Sequence, residues 1–391
     1  MSLISEARPA LNPDQWLIWV LAPYLKTEDP NLQYYYDFSQ SIQEYTRVFE
    51  ELGLEWKWQP VYWEDYRNII SGISKASRSK TPLVLNLCDG DEFNQVPGIS
   101  VIDELEKNHL IYTGSSRIFY EATTSKIPMK TAFDQLGVPT AAWKVIDPAK
   151  LDAPLIFEEL KAPLIVKPAV SAGSMGLGIH SVVHDPRGLI DYLENVIGGY
   201  KGWDLASGGL FAEEFIDGEE YTTLIVGPGD QQEACTVFIP VERVFENSLP
   251  ATEKFLSFDR LWEIYEKESP LDEEKDLWNY ARPDEQLIEE IKRISLMAYC
   301  AVHGTGYGRV DLRRDHRSGK IMVLEVNAQC GLSDDENYTS IGAILRFSGY
   351  RYSQLISDIL QDAVRRYRHS NKDQDIPANA RSKQVLHKHS K

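Results

Sequence analysis

Cysteine is scarce in this chain, with 4 among 391 residues. Cys88, Cys235, Cys300 and Cys330 lie far apart and form no Cys-x-x-Cys pair, so neither a disulfide framework nor a cysteine zinc site is indicated. Basic residues are also in deficit. The chain has 41 Lys and Arg against 59 Asp and Glu, a formal charge of −18. That argues against broad nucleic-acid binding, which needs a basic footprint, yet leaves room for a local basic pocket. No apolar run approaches the roughly 20 residues of a membrane helix. Met1 to Pro13 lacks the basic-then-apolar form of a signal peptide. Internal repeats and low-complexity blocks are missing too. The expected setting is a reducing, cytoplasmic one without membrane or nucleic-acid partners. What is present is an apolar fraction of 43% and a length that suits two or three domains.

The first third alternates strands and helices. WLIWVLA (Trp16–Ala22), TPLVLNLC (Thr81–Cys88) and HLIYTG (His109–Gly114) read as buried strands, and Tyr36–Leu52 as a helix closed by Gly53. This predicts an open, mostly parallel α/β domain. A helix is expected over Phe119–Leu136. The texture then changes to short strands between turn residues, PLIVKPA, GIHSVVH, GLFAEEF, YTTLIVG and CTVFIPV, which suit an antiparallel sheet. Helices follow at Pro283–His303 and Tyr352–Tyr367. Beyond Ser370 the chain is polar and basic, and a frayed tail is expected.

The stretch GYGRVDLRRDHRSGKIMVLEVNA, Gly306–Ala328, is the most informative. Residues two apart in a strand share a face. Arg309 and Asp311 therefore point one way, as do Glu325 and Asn327, with Val310, Leu312, Leu324 and Val326 opposite. A paired hairpin would offer two carboxylates, an amide and a guanidinium on one face. Mg²⁺ takes only one or two carboxylates plus phosphate oxygens, and this set fits. The same alternation also suits an ordinary solvated hairpin.

Two further segments carry possible chemistry. KPAVSAGSMGLGIHSVV, Lys167–Val183, places a small-residue loop, Ser171–Gly178, between strands. Its free N–H groups suit a flap over phosphates, with Lys167 beside it. It is neither Walker A nor a dinucleotide fingerprint, and a plain hairpin turn with an exposed lysine fits equally. FAEEFIDGEEYTT, Phe211–Thr223, sets acids around an Asp217-Gly218 turn, a pattern common in solvated hairpins.

The order of these pieces is more specific than any one of them. KTAFDQLGVPTA, PLIVKP with its glycine flap, the Glu-Glu strand, GRVDLR and LEVNAQCGL together resemble ATP-grasp ligases. NLCDGDE, LEKNHLIYTGSS and TTSKIPMK resemble the D-alanine–D-alanine ligase branch. The resemblance runs from about Leu83 to Leu360. It implies an α/β N-terminal domain over 1–120, then α+β ATP-grasp central (121–208) and C-terminal (209–370) domains, and a flexible tail over 371–391. It implies that Lys126, Lys167, Ser174 and Lys254 meet ATP phosphates, with Glu213, Glu214, Phe215 and Ile216 as the adenine hinge and Glu220 on the ribose. It further implies that Asp311, Glu325 and Asn327 hold two Mg²⁺ ions (or Mn²⁺), and that Arg309 and backbone N–H groups around Gly331 steady an acyl phosphate and a tetrahedral intermediate. The implied activity is ATP-dependent joining of a small-molecule carboxylate to an amine, in a chain compatible with a homodimer. An ATP-grasp kinase and a nucleotide-binding regulator without turnover are the alternatives.

The sequence departs from the family at the substrate end. Glu336 stands where the family has a serine that holds the second amino acid's carboxylate, inside the run Asp334-Asp335-Glu336. Cys88-Asp89 replaces the family's histidine after the second strand, making Asp89 a substrate-facing candidate. The family's N-terminal glutamate has no match, and Phe245–Tyr280 is long enough for a lid. These departures imply a product other than D-alanyl-D-alanine.

Overall fold

The computed structural model describes residues 11–28, 33, 36–76, 79–90, 92–171, 174, 176–197, 204–258, 260 and 276–374. The middle of the expected lid, 259 and 261–275, therefore lies outside the described residues, as do three positions of the glycine loop (172, 173 and 175) and the tail after Gln374.

The N-terminal unit runs β1 (Trp16–Pro23), α1 (Ser39–Leu52), β2 (Glu55–Val61), α2 (Tyr66–Ala76), β3 (Thr81–Asn86), α3 (Ile99–Lys107) and β4 (Ile111–Tyr112). Its sheet has the order β2-β1-β3-β4, parallel throughout. The central strands are the ones whose apolar runs stand out in the sequence, because both their faces are buried. β2, EWKWQPV, is an edge strand with a half-exposed face, so it carries charge. Helix α1 ends at Gly53, whose φ of 65° favours glycine.

The expected helix Phe119–Leu136 is two helices, α4 (Arg117–Thr124) and α5 (Lys126–Leu136). The chain is extended at Ser125, with φ −115° and ψ 130°. Thr123 and Thr124 hydroxyls donate to the carbonyls of Phe119 (3.0 Å) and Tyr120 (2.8 Å) one turn back, bonds of a kind that often bend helices. The break makes Lys126 the first residue of α5.

The central sheet contains β5 (Trp143–Ile146), β6 (Leu164–Pro168), β7 (Val182–Val183) and β8 (Leu210–Glu214), antiparallel in the order β5-β8-β6-β7. The expected boundary at 208/209 cuts this sheet short, because β8 pairs with β5 and β6. Helices α6 (Ala153–Glu159) and α7 (Pro186–Ile197) cover one face through Ile156, Leu189 and Leu193 on Leu164, Val166 and Leu210. By strand alternation the other face carries Ile165 and Lys167 on β6, and Phe211 and Glu213 on β8.

The C-terminal sheet has the order β12-β11-β9-β13-β14, from β9 (Glu220–Val226), β11 (Val241–Phe245), β12 (Trp278–Ala281), β13 (Tyr307–Arg314) and β14 (Ile321–Ala328), with β10 (Thr236–Val237) added to β9. Helix α8 (Glu285–Ala301) buries one face, seating Ile291, Ile294 and Ala298 on Ile225, Val310, Leu312 and Val326. Two helices close the chain, α9 (Ser340–Ser348) and α10 (Tyr352–Gln374), the last running past the expected start of the tail. Leu355, Ile359 and Leu360 of α10 share one core with Ile18, Val20 and Phe49, so the C-terminal helix seals the N-terminal sheet.

Candidate active site

On the face of the C-terminal sheet opposite α8, Leu224, Val226 and Val241 share an apolar core with α9 and α10, and the stretch carrying Arg309, Asp311, Glu325 and Asn327 is polar. β13 and β14 pair with Arg309 opposite Asn327 and Asp311 opposite Glu325, and a bulge after Asp311 skips Leu324, so that Val323 and not the expected Leu324 joins the buried core. The hairpin therefore puts all four side chains on one face, as expected, and this face is not a plain solvated one. Asp311 Oδ2 accepts from Arg309 Nε (3.1 Å) and Nη2 (2.9 Å) and from Asn327 Nδ2 (3.0 Å), while Oδ1 accepts from Thr222 Oγ1 (2.9 Å). Asn327 Nδ2 also reaches Glu325 Oε1 at 3.2 Å. Burial raises both carboxyls. At Glu325 the charges of Lys126, Lys167 and Arg309 outweigh it and hold the group at about 2. Asp311 stays above its usual range despite Arg309. Among the described residues no cluster of three or more His, Cys, Asp and Glu side chains forms a metal site. Two carboxylates and an amide within hydrogen-bond reach of one another still match what Mg²⁺ asks of a protein.

Lysines face this hairpin from the other side. Lys126 Nζ lies 3.3 Å from Glu325 Oε2 and donates to the Ser171 carbonyl at 3.2 Å, tying the start of the glycine loop to β14. Ser174 in that loop has a left-handed backbone, φ 61°. Lys167 Nζ sits 2.5 Å from Glu213 Oε1. The Lys254 carbonyl accepts from Arg313, which also donates to the Ile216 carbonyl at 2.8 Å. Phe255 meets the Phe215 ring edge-on at 6.2 Å, so Lys254 stands beside the hinge segment.

Not every expected side chain is free. Glu213 is 1% exposed and held by two lysines. Glu214 Oε1 accepts from the Lys161 N–H at 3.0 Å. Glu220 is buried between Arg243 and Arg313. Gly331 is exposed, with open space where a Cβ would stand. Asp89 is open to solvent at the end of β3, yet crowding by protein pushes its carboxyl up to about 6. Burial pushes the Cys330 thiol up to about 12, with the charge of Arg309 opposing it. Gln329 Nε2 donates to the Cys88 carbonyl at 2.9 Å, joining the N-terminal sheet to the end of β14. In the acidic run, Asp334 is paired with Arg47 at 3.2 Å, and Asp335 Oδ1 accepts from the N–H groups of Asn337 (3.0 Å) and Tyr338 (3.1 Å). Glu336 is exposed.

Residues 132–361 match the family model for the D-ala D-ala ligase C-terminus. The chain belongs to the D-alanine–D-alanine ligase family. An uncharacterized protein, y4sG, of Sinorhizobium fredii is 30% identical over 298 residues, 73% of this chain and 75% of its own. The D-alanine–D-alanine ligase of a Marinomonas species is 28% identical over 256 residues, 64% of this chain and 69% of its own. The solved D-alanine–D-alanine ligase of Bacillus anthracis complexed with ATP superposes with a TM-score of 0.62 at 19% identity, covering 90% of this chain and 99% of that one. The D-alanine–D-alanine ligase fold is thus the fold of this chain, an ATP-grasp architecture behind an α/β domain, and ligases of the family use ATP and Mg²⁺.

Three basic residues in this D-alanine–D-alanine ligase-like cleft escape a reading of the sequence. Arg243 and Arg313 flank Glu220, and Lys130 is 1% exposed beside Glu213. Lys130 had a signal: it lies four residues after Lys126, one helical turn along the same face. The arginines had none, because they share a face with Glu220 only through strand pairing (Arg243 and Arg313 each opposite Glu220).

Proposed function

We propose that the protein joins a carboxylate, an amino acid by preference, to an amine through an acyl phosphate, releasing ADP and phosphate. The observation that carries this reading is the meeting of Asp311, Glu325 and Asn327 with Lys126 across the cleft, 3.3 Å from Glu325. Asp311, Glu325 and Asn327 would hold Mg²⁺, which would screen the phosphate oxygens during transfer. Asn327 would turn its amide oxygen toward the ion, a half-rotation of the group now donating to both carboxylates. Lys126 and Lys167 would neutralise the phosphoryl group as the substrate carboxylate attacks it and ADP leaves. Arg309 would hold the acyl phosphate. The amine then attacks the acyl carbon and loses a proton, phosphate departs, and the Gly331 N–H steadies the oxyanion. Adenine would meet the main chain and apolar side of Phe215–Ile216, since both hinge carboxylates are engaged. Glu220 would bind the ribose by giving up part of an arginine contact.

Binding is testable without knowing the substrates. MgATP at about 100-fold its Kd adds roughly 2.7 kcal/mol to the folded state. The melting temperature should rise by several degrees with MgATP and stay unchanged with NAD. Equal shifts, or none with MgATP, would refute the reading.

The acceptor is the finer question. Asp334 and Asp335 are spent on Arg47 and on a turn, so the argument from the acidic run rests on Glu336. A carboxylate about 4 Å from a substrate carboxylate costs on the order of 4 kcal/mol at a surface-like dielectric. An acceptor without a carboxylate there, or with an extra cation, avoids that cost. A cavity of about 360 Å³ beside Glu336 has a wall of mixed charge, with Glu44, Glu51 and Asp334 alongside Arg47, Arg346 and Arg351, so the reading rests on Glu336 itself. Glu44 is 2% exposed, with Oε2 unpartnered, and burial raises its carboxyl. Glu336→Ser should weaken use of the native amine and improve use of alanine. Unchanged kinetics with both would make Glu336 a surface residue and remove the acceptor argument.

A further inference from the structure

Lys130 is buried, charged and absent from the mechanism above. Its Nζ lies 2.5 Å from Glu213 Oε2 and donates to Thr140 Oγ1 at 2.6 Å. Thr140 Oγ1 donates in turn to the Val323 carbonyl at 2.9 Å, and Val323 N–H donates to the Pro139 carbonyl at 2.7 Å. The chain of contacts therefore starts on β14, two residues before Glu325. It crosses to Lys130 on α5, passes to Glu213 on β8 and ends at Lys167 on β6. Lys126, one turn before Lys130, makes a second link from α5 to β14 through Glu325.

We propose that Lys130 is a positioning residue of the nucleotide site: by sharing the Glu213 carboxylate, it leaves the Lys167 ammonium available to the phosphates of ATP, and it ties that pair to the strand carrying Glu325. The inference rests on the ATP-binding reading above. Its physical basis is charge counting in a dry place. Glu213 has one negative charge and two lysine neighbours, and both its oxygens are engaged. Burial works against ionising the carboxyl, but Lys130 and Lys167 together hold Glu213 below its usual range. With Lys130 present, Lys130 and Glu213 form a neutral unit and Lys167 is a net cation at the cleft. Without Lys130, Glu213 has Lys167 as its sole counter-ion, and a phosphate must compete with a fully committed, poorly hydrated pair. The second carboxylate oxygen would also be left buried and unpaired.

The test is MgATP affinity of the full chain, by calorimetry, with melting temperature recorded in parallel. Lys130→Met should weaken MgATP binding by roughly tenfold or more, about 1.4 kcal/mol. Adding Glu213→Gln should bring affinity back to within about threefold of the parent, since no anion then holds Lys167; such non-additivity is what a shared partner produces. With turnover, Lys130→Met should raise KM for ATP more than it lowers kcat. Folded Lys130→Met with parental affinity would overturn the proposal, as would a double variant no tighter than the single one, which a packing role alone predicts. If Lys130→Met does not fold, the double variant, which buries neither charge, decides: parental affinity supports the proposal and a tenfold loss overturns it. A parent chain that does not bind MgATP overturns the function reading instead.

Discussion

Asp311→Asn and Glu325→Gln each lower ADP formation by about 10²-fold or more, the scale of losing a main electrostatic stabiliser of the transition state. Both changes keep size and shape. Val310, Leu312, Val323 and Val326, which seat the hairpin on α8, are untouched, so both variants stay folded. The costs differ in kind. Asp311→Asn leaves Arg309 without its anion, and Glu325→Gln leaves Lys126 without its own. Each variant should therefore bind nucleotide yet fail to transfer phosphate. Near-parental turnover in both would remove the metal role from this hairpin.

Gly306→Ala destabilises the fold by about 3 kcal/mol, as a strained backbone and an overpacked contact together predict. Gly306 sits at φ +76°, and a Cβ there would stand 2.0 Å from the carbonyl oxygen of Gly114. That oxygen cannot move aside easily, because Thr113 and Ser115 on either side are fully buried. Gly53→Ala is the control. It has a similar φ, +65°, but nothing lies within 4 Å of its added Cβ. It should cost only the left-handed backbone term, roughly 1–2 kcal/mol. Chemical denaturation of the two variants separates the terms, and equal losses would deny the close approach between Gly306 and Gly114. The larger loss also bears on function, since Gly306 lies three residues before Arg309 and fixes where β13 begins.

The parts of this molecule legible in the sequence are those governed by local pattern. Strand alternation alone aligned Arg309 with Asp311 and Glu325 with Asn327, because a hairpin's period of two does not depend on the rest of the fold. The apolar runs of β1 and β3 announced a buried parallel sheet. β2 was not announced, because an edge strand carries charge. The helix break at Ser125 was missed, since it depends on Thr123 and Thr124 turning their hydroxyls on the preceding turn. Long-range pairing was the least legible. Glu213 reads as a free hinge acid and Glu220 as a free ribose acid, yet each is enclosed by cations from distant segments: Lys130 and Lys167 for one, Arg243 and Arg313 for the other. The acidic run read as three like charges, and only spatial neighbours reveal that Arg47 and a tight turn engage two of them. The resemblance carried the order of the motifs, and the family match over residues 132–361 covers its C-terminal part, from the end of α5 onward.

The most direct test of the central claim is a stoichiometry. Paired acids and amines are incubated with the protein and MgATP, and ADP, phosphate and any amide are quantified in the same reaction by mass spectrometry. A carboxylate–amine ligase yields the three in equal amounts, and none with Glu325→Gln. A phosphorylated substrate with ADP but no phosphate and no amide would mark a kinase and contradict the account.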